Sequence, residues 1–236
     1  VVDSDDEITR LEWLCDELDI TAQVMIRVTT GVEAHTHEYI ATAHEDQKFG
    51  FSILSGQAMG SMLRCYRSPR LNLVGIHSHI GSQIFDTDGF EVAAKRTLRL
   101  LAQFAQETGV ELPELDLGGG FGIAYTKEDD PASPDDLATG LRSIIAQECR
   151  ATGLTEPAIS IEPGRAIVGP AGMALYRVGT VKSVQLGGGT SRRYISVDGG
   201  MSDNIRPALY AAEYSAALAS RASTAEPVVS RVVGVH

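Results

Sequence analysis

The chain has 236 residues, a hydrophobic fraction of 43% and a formal net charge of -11 at pH 7. The length suits one large α/β domain, or one domain and part of another. The acidic balance excludes nucleic acid and anionic membranes as main partners, because both favour clustered Lys and Arg. No apolar run of about 18 residues and no basic-then-apolar leader occurs, which predicts a cytoplasmic protein without a membrane span. Three scattered cysteines, Cys15, Cys65 and Cys149, fit reduced structural thiols.

The hydrophobic pattern predicts helices alternating with strands up to Arg165. A capping box, Ser4-x-x-Glu7, starts the first helix. Strands are predicted at the very start, with Val2, and at 24–28, 48–53, 71–79, 114–117 and 159–161. Further helices are predicted at 55–67, at 88–108 with Gly109 as its end, and up to about residue 152. Residues 127–136, which contain several acids and two prolines, are predicted as a surface loop.

This alternation predicts a parallel α/β sheet, and functional residues after successive strands favour a (β/α)8 barrel. Six strand candidates precede residue 166, two fewer than such a barrel needs. After Gly172 the pattern changes to strands at 175–186 and 194–198, joined by a turn at Gly187, Gly188 and Gly189. We therefore predict a partial barrel at 1–170 and the beginning of a β-rich domain at 171–236.

The segment Glu162-Pro163-Gly164-Arg165 follows the apolar run 159–161 directly. It places a carboxylate and a guanidinium at the end of a predicted buried strand. The pair suits a ligand with a cation at one end and a phosphate at the other, such as the protonated ring of pyridoxal phosphate. An ordinary turn or strand-end salt bridge is the alternative, since Pro-Gly is a common turn signal.

His77 and His79 are two residues apart, so in a strand both side chains point to one face. Three interpretations remain open: structural histidines, a metal-binding pair, or an imidazole lying against an aromatic ring with Gly81 and Ser82 near a phosphate. A second polar segment, with His35, His37 and His44, has irregular spacing and favours solvated or structural roles.

Three glycines, Gly118, Gly119 and Gly120, follow the predicted strand 114–117. Glycine lets backbone N–H groups approach an anion closely, which makes such runs phosphate-binding candidates. A flexible strand-to-helix turn is the alternative. The pattern differs from the G-x-G-x-x-G of dinucleotide sites. Together with Arg165, the glycines would give one phosphate several donors.

A fourth segment, residues 196–210, holds Arg206 and Tyr210 four positions apart, which in a short helix places both on one side. An arginine beside a phenol suits a substrate carboxylate. A surface arginine and a core tyrosine are the alternative. The Arg192-Arg193 pair reads as a charged hairpin.

Four motifs, HSHIGSQ, LDLGGGFG, EPGR and DGGMSDNIRPALY, occur in this order. With them the chain resembles the diaminopimelate decarboxylases, fold-type III pyridoxal phosphate enzymes of lysine biosynthesis, and most of all their actinobacterial form. The resemblance implies decarboxylation of meso-diaminopimelate to L-lysine and CO2 by a cytoplasmic homodimer with its active site at the subunit interface. Three alternatives remain. The first is a related decarboxylase that acts on ornithine, arginine or carboxynorspermidine. The others are a metal-dependent barrel hydrolase using His77 and His79, and a non-catalytic cofactor-binding remnant.

The resemblance also assigns residues. It implies that His79 stacks on the cofactor ring and that Glu162 faces the ring nitrogen. Ser82, Gly118, Gly119 and Gly120 would hold the phosphate, Arg165 would lie near it, and Gly164 would be a further cofactor contact. Glu162 at that position favours decarboxylation over racemisation. The substrate would contact Arg165, Arg206 and Tyr210, with Asp198 as a further acid nearby.

Two features of the family are expected outside this sequence. Its Schiff-base lysine would precede residue 1, since Lys48 and Lys95 stand in other contexts. Its catalytic cysteine, in a Cys-Glu-Ser-Gly-Asp segment, would follow His236. The resemblance thus predicts an inactive internal fragment with about barrel strands three to eight.

Overall fold

The computed structural model describes residues 1–31, 48–226 and 228–235. The chain divides into two compact units, Val1–Ile123 with Asp130–Pro170, and Ala124–Asp129 with Ala171–His236. The helices are α1 (Asp5–Glu17), α2 (Gln57–Arg67), α3 (Asp88–Thr108), α4 (Pro134–Thr152), α5 (Gly164–Val168) and α6 (Arg206–Tyr210). The strands are β1 (Ala22–Thr29), β2 (Phe51–Ser52), β3 (Leu71–Ser78), β4 (Glu114–Asp116), β5 (Ala158–Ser160), β6 (Val178–Gly187), β7 (Thr190–Val197) and β8 (Ser230–Val233).

The first unit contains a five-stranded sheet in the order β2-β1-β3-β4-β5. All four pairings are parallel, as the alternation of helices and strands predicted. Five of the six strand candidates become strands, whereas the first contributes a single parallel bridge between Val2 and Ile26. The third candidate, predicted at 48–53, shortens to Phe51–Ser52. Within the described residues the sheet is open, with β2 and β5 at its edges.

Neighbouring rows of this sheet have opposite character. Ile26, Ile76 and Leu115 are register partners on β1, β3 and β4, and all three are 0% exposed. The next row contains Arg27, His77 and Asp116. Since successive strand residues point to opposite faces, the sheet has an apolar face and a polar face that includes His77.

Helices α1 and α3 show two signals that were readable in the sequence. Ser4 caps α1 by accepting a hydrogen bond from the Glu7 N–H at 3.3 Å. The Glu7 carboxylate accepts from the N–H of Asp3, so the predicted capping box is shifted by one residue. The helix α3 has the predicted bounds and ends at Gly109, whose φ is 75°.

The surface loop was predicted to extend to residue 136, and this boundary is wrong, because α4 already begins at Pro134. Ser133 caps this helix by accepting from the Asp136 N–H at 3.1 Å. Proline is favoured in the first turn of a helix, where its missing N–H would have no helical partner. The Ser-Pro-Asp-Asp sequence is therefore a helix start and not the end of a loop.

The second unit contains a three-stranded sheet in the order β6-β7-β8. The strands β6 and β7 pair in an antiparallel hairpin, and β8 runs parallel to β7. In the turn between β6 and β7, Gly187, Gly188 and Gly189 all have positive φ, a conformation that glycine adopts readily. In the described parts of both units, no helix has the length and apolar character needed to cross a membrane.

Candidate active site

The predicted site segments of the first unit follow three neighbouring strands, β3, β4 and β5. Because these strands are parallel and adjacent, their carboxyl ends lie at one edge of the sheet. The N–H of Gly119 donates to His79 Nδ1 at 3.2 Å, and the N–H of Glu162 donates to the carbonyl of Gly118 at 2.9 Å. The structure thus brings together His79, the glycine run and Glu162, which lie up to 83 positions apart in the sequence.

The three glycines are required by the close approach of neighbouring backbone. A Cβ atom built at Gly118 would overlap the carbonyl oxygen of Ser78, and one at Gly120 would overlap that of Gly81. A Cβ at Gly119 would overlap the carbonyl oxygen of Glu162. The glycine run therefore lets the loops after β3 and β5 close on it from both sides.

Two of the three glycine N–H groups already have protein acceptors. The Gly118 N–H donates to Asp116 Oδ1 at 2.8 Å, and the Gly119 N–H donates to His79 Nδ1. A phosphate bound by either group would have to displace these acceptors. The sequence pattern did not reveal this competition, because it depends on the positions of the Asp116 and His79 side chains.

Glu162 and Arg165 do not form the strand-end salt bridge that was the alternative to a ligand site. Glu162 Oε2 lies 3.3 Å from His77 Nε2, and Arg165 donates to Gln83 Oε1 at 3.0 Å. The Glu162 side chain is 51% exposed, whereas that of His77 is 5% exposed. The carboxylate thus contacts the buried His77 on one side and is exposed to solvent on the other.

His79 follows the last residue of β3 and is partly buried. Burial lowers its pKa, and the nearby Arg27 guanidinium lowers it further, against the opposing effect of Glu162. The Gly119 N–H donates to Nδ1, an arrangement that fits the tautomer with the ring proton on Nε2. The lowered pKa favours the neutral form of His79.

Gln83 has a role that sequence reasoning missed. Its side-chain amide donates to the carbonyl of Ile123 at 2.6 Å and accepts from the N–H of Ile123 at 3.3 Å, in addition to accepting from Arg165. Its backbone has a positive φ of 63°, which is uncommon for a residue with a side chain. The only available signal was its position at the end of the HSHIGSQ segment, directly after Ser82.

In the second unit, Arg206 and Tyr210 lie on the single turn of α6, as predicted. The guanidinium carbon of Arg206 lies 5.0 Å from the centre of the Tyr210 ring. Arg206 Nε also donates to the hydroxyl of Tyr214 at 3.1 Å, a partner that the sequence did not indicate. Asp198 accepts from the N–H of Arg177 at 2.7 Å.

A family model for the pyridoxal binding domain of pyridoxal-dependent decarboxylases matches residues 1–169. The chain belongs to this family. It is 53% identical over its whole length to the diaminopimelate decarboxylase of Mycobacterium tuberculosis, covering 54% of that protein. It is 49% identical to the diaminopimelate decarboxylase of Corynebacterium efficiens, again over the whole chain and 51% of the relative. The chain thus spans about half the length of these relatives.

Solved structures agree with this membership. The diaminopimelate decarboxylase of Helicobacter pylori in complex with L-lysine matches 100% of this chain and 54% of its own, with a TM-score of 0.83 and 28% identity. The M. jannaschii enzyme, also with L-lysine, matches 91% of this chain and 48% of its own, with a TM-score of 0.79 and 31% identity. The predicted resemblance and the predicted (β/α)8 fold class are both confirmed.

The residues of this pyridoxal binding domain fit pyridoxal phosphate. The glycine run leaves its backbone without Cβ atoms at the carboxyl ends of the strands, and the Arg165 guanidinium donates to Gln83 on the segment after β3. Glu162 presents a half-exposed carboxylate, the partner that a protonated ring nitrogen requires. The site therefore has groups of opposite charge for the two ends of pyridoxal phosphate.

The metal-binding alternative paired His77 with His79, whereas the structure groups His77 with other residues. Among the described residues, a possible metal-binding group consists of His77, Asp116 and Glu162, whose ligand atoms lie within 4.8 Å of one another. One oxygen of Asp116 already accepts from Gly118. The histidines His35, His37 and His44 lie outside the described residues.

Proposed function

We propose that the intact protein decarboxylates meso-diaminopimelate to L-lysine and CO2 with pyridoxal phosphate as its cofactor. The observation that carries this proposal is the carboxylate of Glu162, half-exposed at the end of β5 and in backbone contact with the glycine run. The identity of 53% to a diaminopimelate decarboxylase supports the substrate. Because the chain covers about half of that relative, the proposal concerns the intact protein.

Each cofactor role is proposed for a residue of the first unit. When bound, pyridoxal phosphate supplies an electron sink for the charge left on the α-carbon after CO2 departs. Glu162 would keep the ring nitrogen protonated, because an adjacent carboxylate favours the charged form. His79 would lie against the ring as a neutral imidazole.

The phosphate would be held by a separate group of residues, which consists of Ser82, Gly118, Gly119, Gly120 and Arg165, and Gly164 is proposed as a further cofactor contact. Arg165 offers the strongest single contact, since hydrogen bonds from a guanidinium to a phosphate are charge-assisted. Gly118 and Gly119 would contribute only after releasing Asp116 and His79, respectively.

Substrate contacts are proposed for Arg165, Arg206 and Tyr210, with Asp198 as a further acid. Arg206 suits the distal carboxylate of diaminopimelate, which ornithine and arginine lack. Its stacking on Tyr210 and its bond to Tyr214 support this role, because they restrict the guanidinium before any ligand binds. A homodimeric assembly and a cytoplasmic location also remain predictions for the intact protein.

The test is CO2 release by the purified intact protein from diaminopimelate, ornithine, arginine and carboxynorspermidine, with pyridoxal phosphate present. We expect turnover of diaminopimelate and little of the others. Glu162→Ala should retain the cofactor but decarboxylate roughly ten- to a hundred-fold more slowly, since a hydrogen bond to a charged group contributes about 1.5–3 kcal/mol.

Three outcomes would contradict the proposal. Preference for a substrate without a distal carboxylate would favour a related decarboxylase. Stoichiometric zinc together with activity that is independent of pyridoxal phosphate would favour a hydrolase built on His77. Cofactor binding without turnover of any of the four substrates would favour a binding protein.

A further inference from the structure

His77 is a buried polar residue without an assigned role. It lies on β3 in the row between Arg27 on β1 and Asp116 on β4. Its side chain is 5% exposed, and its Nε2 atom faces Glu162 Oε2 at 3.3 Å. Among the described residues its other ring nitrogen, Nδ1, has no hydrogen-bond partner. Glu162 is therefore the hydrogen-bond partner of this imidazole among the described residues.

We infer that His77 is a positioning residue that fixes the carboxylate of Glu162 for the ring nitrogen of the cofactor. This inference rests on the proposed placement of Glu162. With the proton on Nε2, His77 donates to Oε2 and leaves the second carboxylate oxygen for the cationic ring nitrogen. A carboxylate has enough lone pairs to accept both bonds at once.

Glu162 needs such a support because its side chain is half exposed. A free glutamate has three rotatable bonds, and holding it in one rotamer costs side-chain entropy. His77 is itself fixed by its strand and by burial, so its N–H forms a rigid anchor. Binding sites hold their geometry when the contacting side chain is restrained by a second residue in this way.

The two other roles for a buried histidine fit the contacts less well. A purely structural histidine normally satisfies both ring nitrogens with protein partners, whereas Nδ1 of His77 has none among the described residues. A metal site at His77 would need Asp116 as its third ligand, but Asp116 Oδ1 already accepts a hydrogen bond from the Gly118 N–H at 2.8 Å. The direct bond to Glu162 therefore gives the best account of His77.

The experiment measures how strongly the intact protein distinguishes pyridoxal phosphate from deazapyridoxal phosphate, in which a C–H group replaces the ring nitrogen. Both probes carry the same aldehyde and phosphate, so the ratio of their dissociation constants reports the contact at the ring nitrogen alone. We expect wild type to prefer pyridoxal phosphate by roughly ten-fold or more, the usual size of a charged hydrogen bond. Glu162→Gln should abolish most of this preference.

In His77→Leu, the ratio of the two dissociation constants should fall toward one, while both probes still bind. Two polar variants separate positioning from packing. His77→Gln can place an N–H near the position of Nε2 and should restore most of the preference, whereas His77→Asn cannot reach it and should not. Ser78→Ala, at the next position of β3, removes a buried hydroxyl without a partner among the described residues and should retain the wild-type ratio.

Wild-type preference in both His77→Leu and His77→Asn would overturn the inference. Wild-type preference in Glu162→Gln would instead overturn the proposed placement of Glu162, and the inference with it, so the two failures are distinguishable. Should the His77 variants not fold, the imidazole nitrogen NMR signal of His77 in the wild-type protein gives a second readout. An Nε2 signal that does not respond to Glu162→Gln would contradict the inference.

Discussion

Arg206 is a residue whose proposed role can be separated from cofactor binding. Arg206→Ala should raise the KM for diaminopimelate by roughly ten- to a hundred-fold, because the lost contact with the distal carboxylate is charge-assisted. The dissociation constant of pyridoxal phosphate should stay unchanged. Steady-state kinetics and a cofactor titration of the intact protein measure the two quantities.

The matched control for this variant is Arg193→Ala, which removes an arginine from the β6–β7 hairpin of the same unit. It should leave both constants at wild-type values. An unchanged KM in Arg206→Ala would remove Arg206 from the substrate site, whereas an equal loss in both variants would indicate a general effect of charge.

At the same residue scale, the sequence predicted which side chains carry chemistry better than it predicted their partners. Glu162 and Arg165 were expected to face a ligand, and their contacts with His77 and Gln83 could not be predicted. These contacts join residues more than 80 positions apart, and they depend on which strands are neighbours. The motif placed His77 beside His79 in sequence, but only the strand order brings it to Glu162.

Among the secondary-structure elements, those with a strong period and a clear end were predicted best. The helix α3 has a long apolar stripe and ends at Gly109, and both of its bounds agree with the prediction. The strand β2 was predicted too long, because a short apolar run does not indicate how much of it finds a partner. Of the predicted residues 48–53, Phe51 and Ser52 form the strand that pairs with β1.

The glycine run between β4 and α4 provides a prediction at the scale of elements. Gly119→Ala should destabilise the intact protein by about 1–3 kcal/mol, because the added Cβ overlaps the carbonyl oxygen of Glu162 and a packed site resists extra volume. Displacing Glu162 should also weaken pyridoxal phosphate binding. Urea denaturation and a cofactor titration measure the two effects.

Gly60→Ala in α2 is the matched control for the same change elsewhere. A Cβ at Gly60 would meet no atom within 4 Å, and alanine favours a helix over glycine by about 0.5–1 kcal/mol. This variant should therefore be as stable as wild type or more stable, with unchanged cofactor affinity. Wild-type stability and affinity in Gly119→Ala would show that the close approach to Glu162 is not required.

For the whole molecule, composition and periodicity predicted the parallel α/β class, since helices and strands alternate along the first unit. They could not predict the strand order or the edges of the sheet. One of these edges, β5, has all three residues exposed, including Ile159 at 38%. Nearby in the sequence, Ile161 is 45% exposed, Ile167 68% and Val168 66%.

Exposed apolar side chains beside an unpaired strand edge favour association between chains. We therefore expect the isolated 236-residue chain to form assemblies at micromolar concentration and to bind a hydrophobic dye, as judged by light scattering and fluorescence. Ile159→Lys should shift the isolated chain toward monomer, because charge on an edge strand opposes pairing. Val92→Lys, on α3 and likewise 39% exposed, should not. A monomeric wild-type chain without dye binding would show that this edge does not drive association.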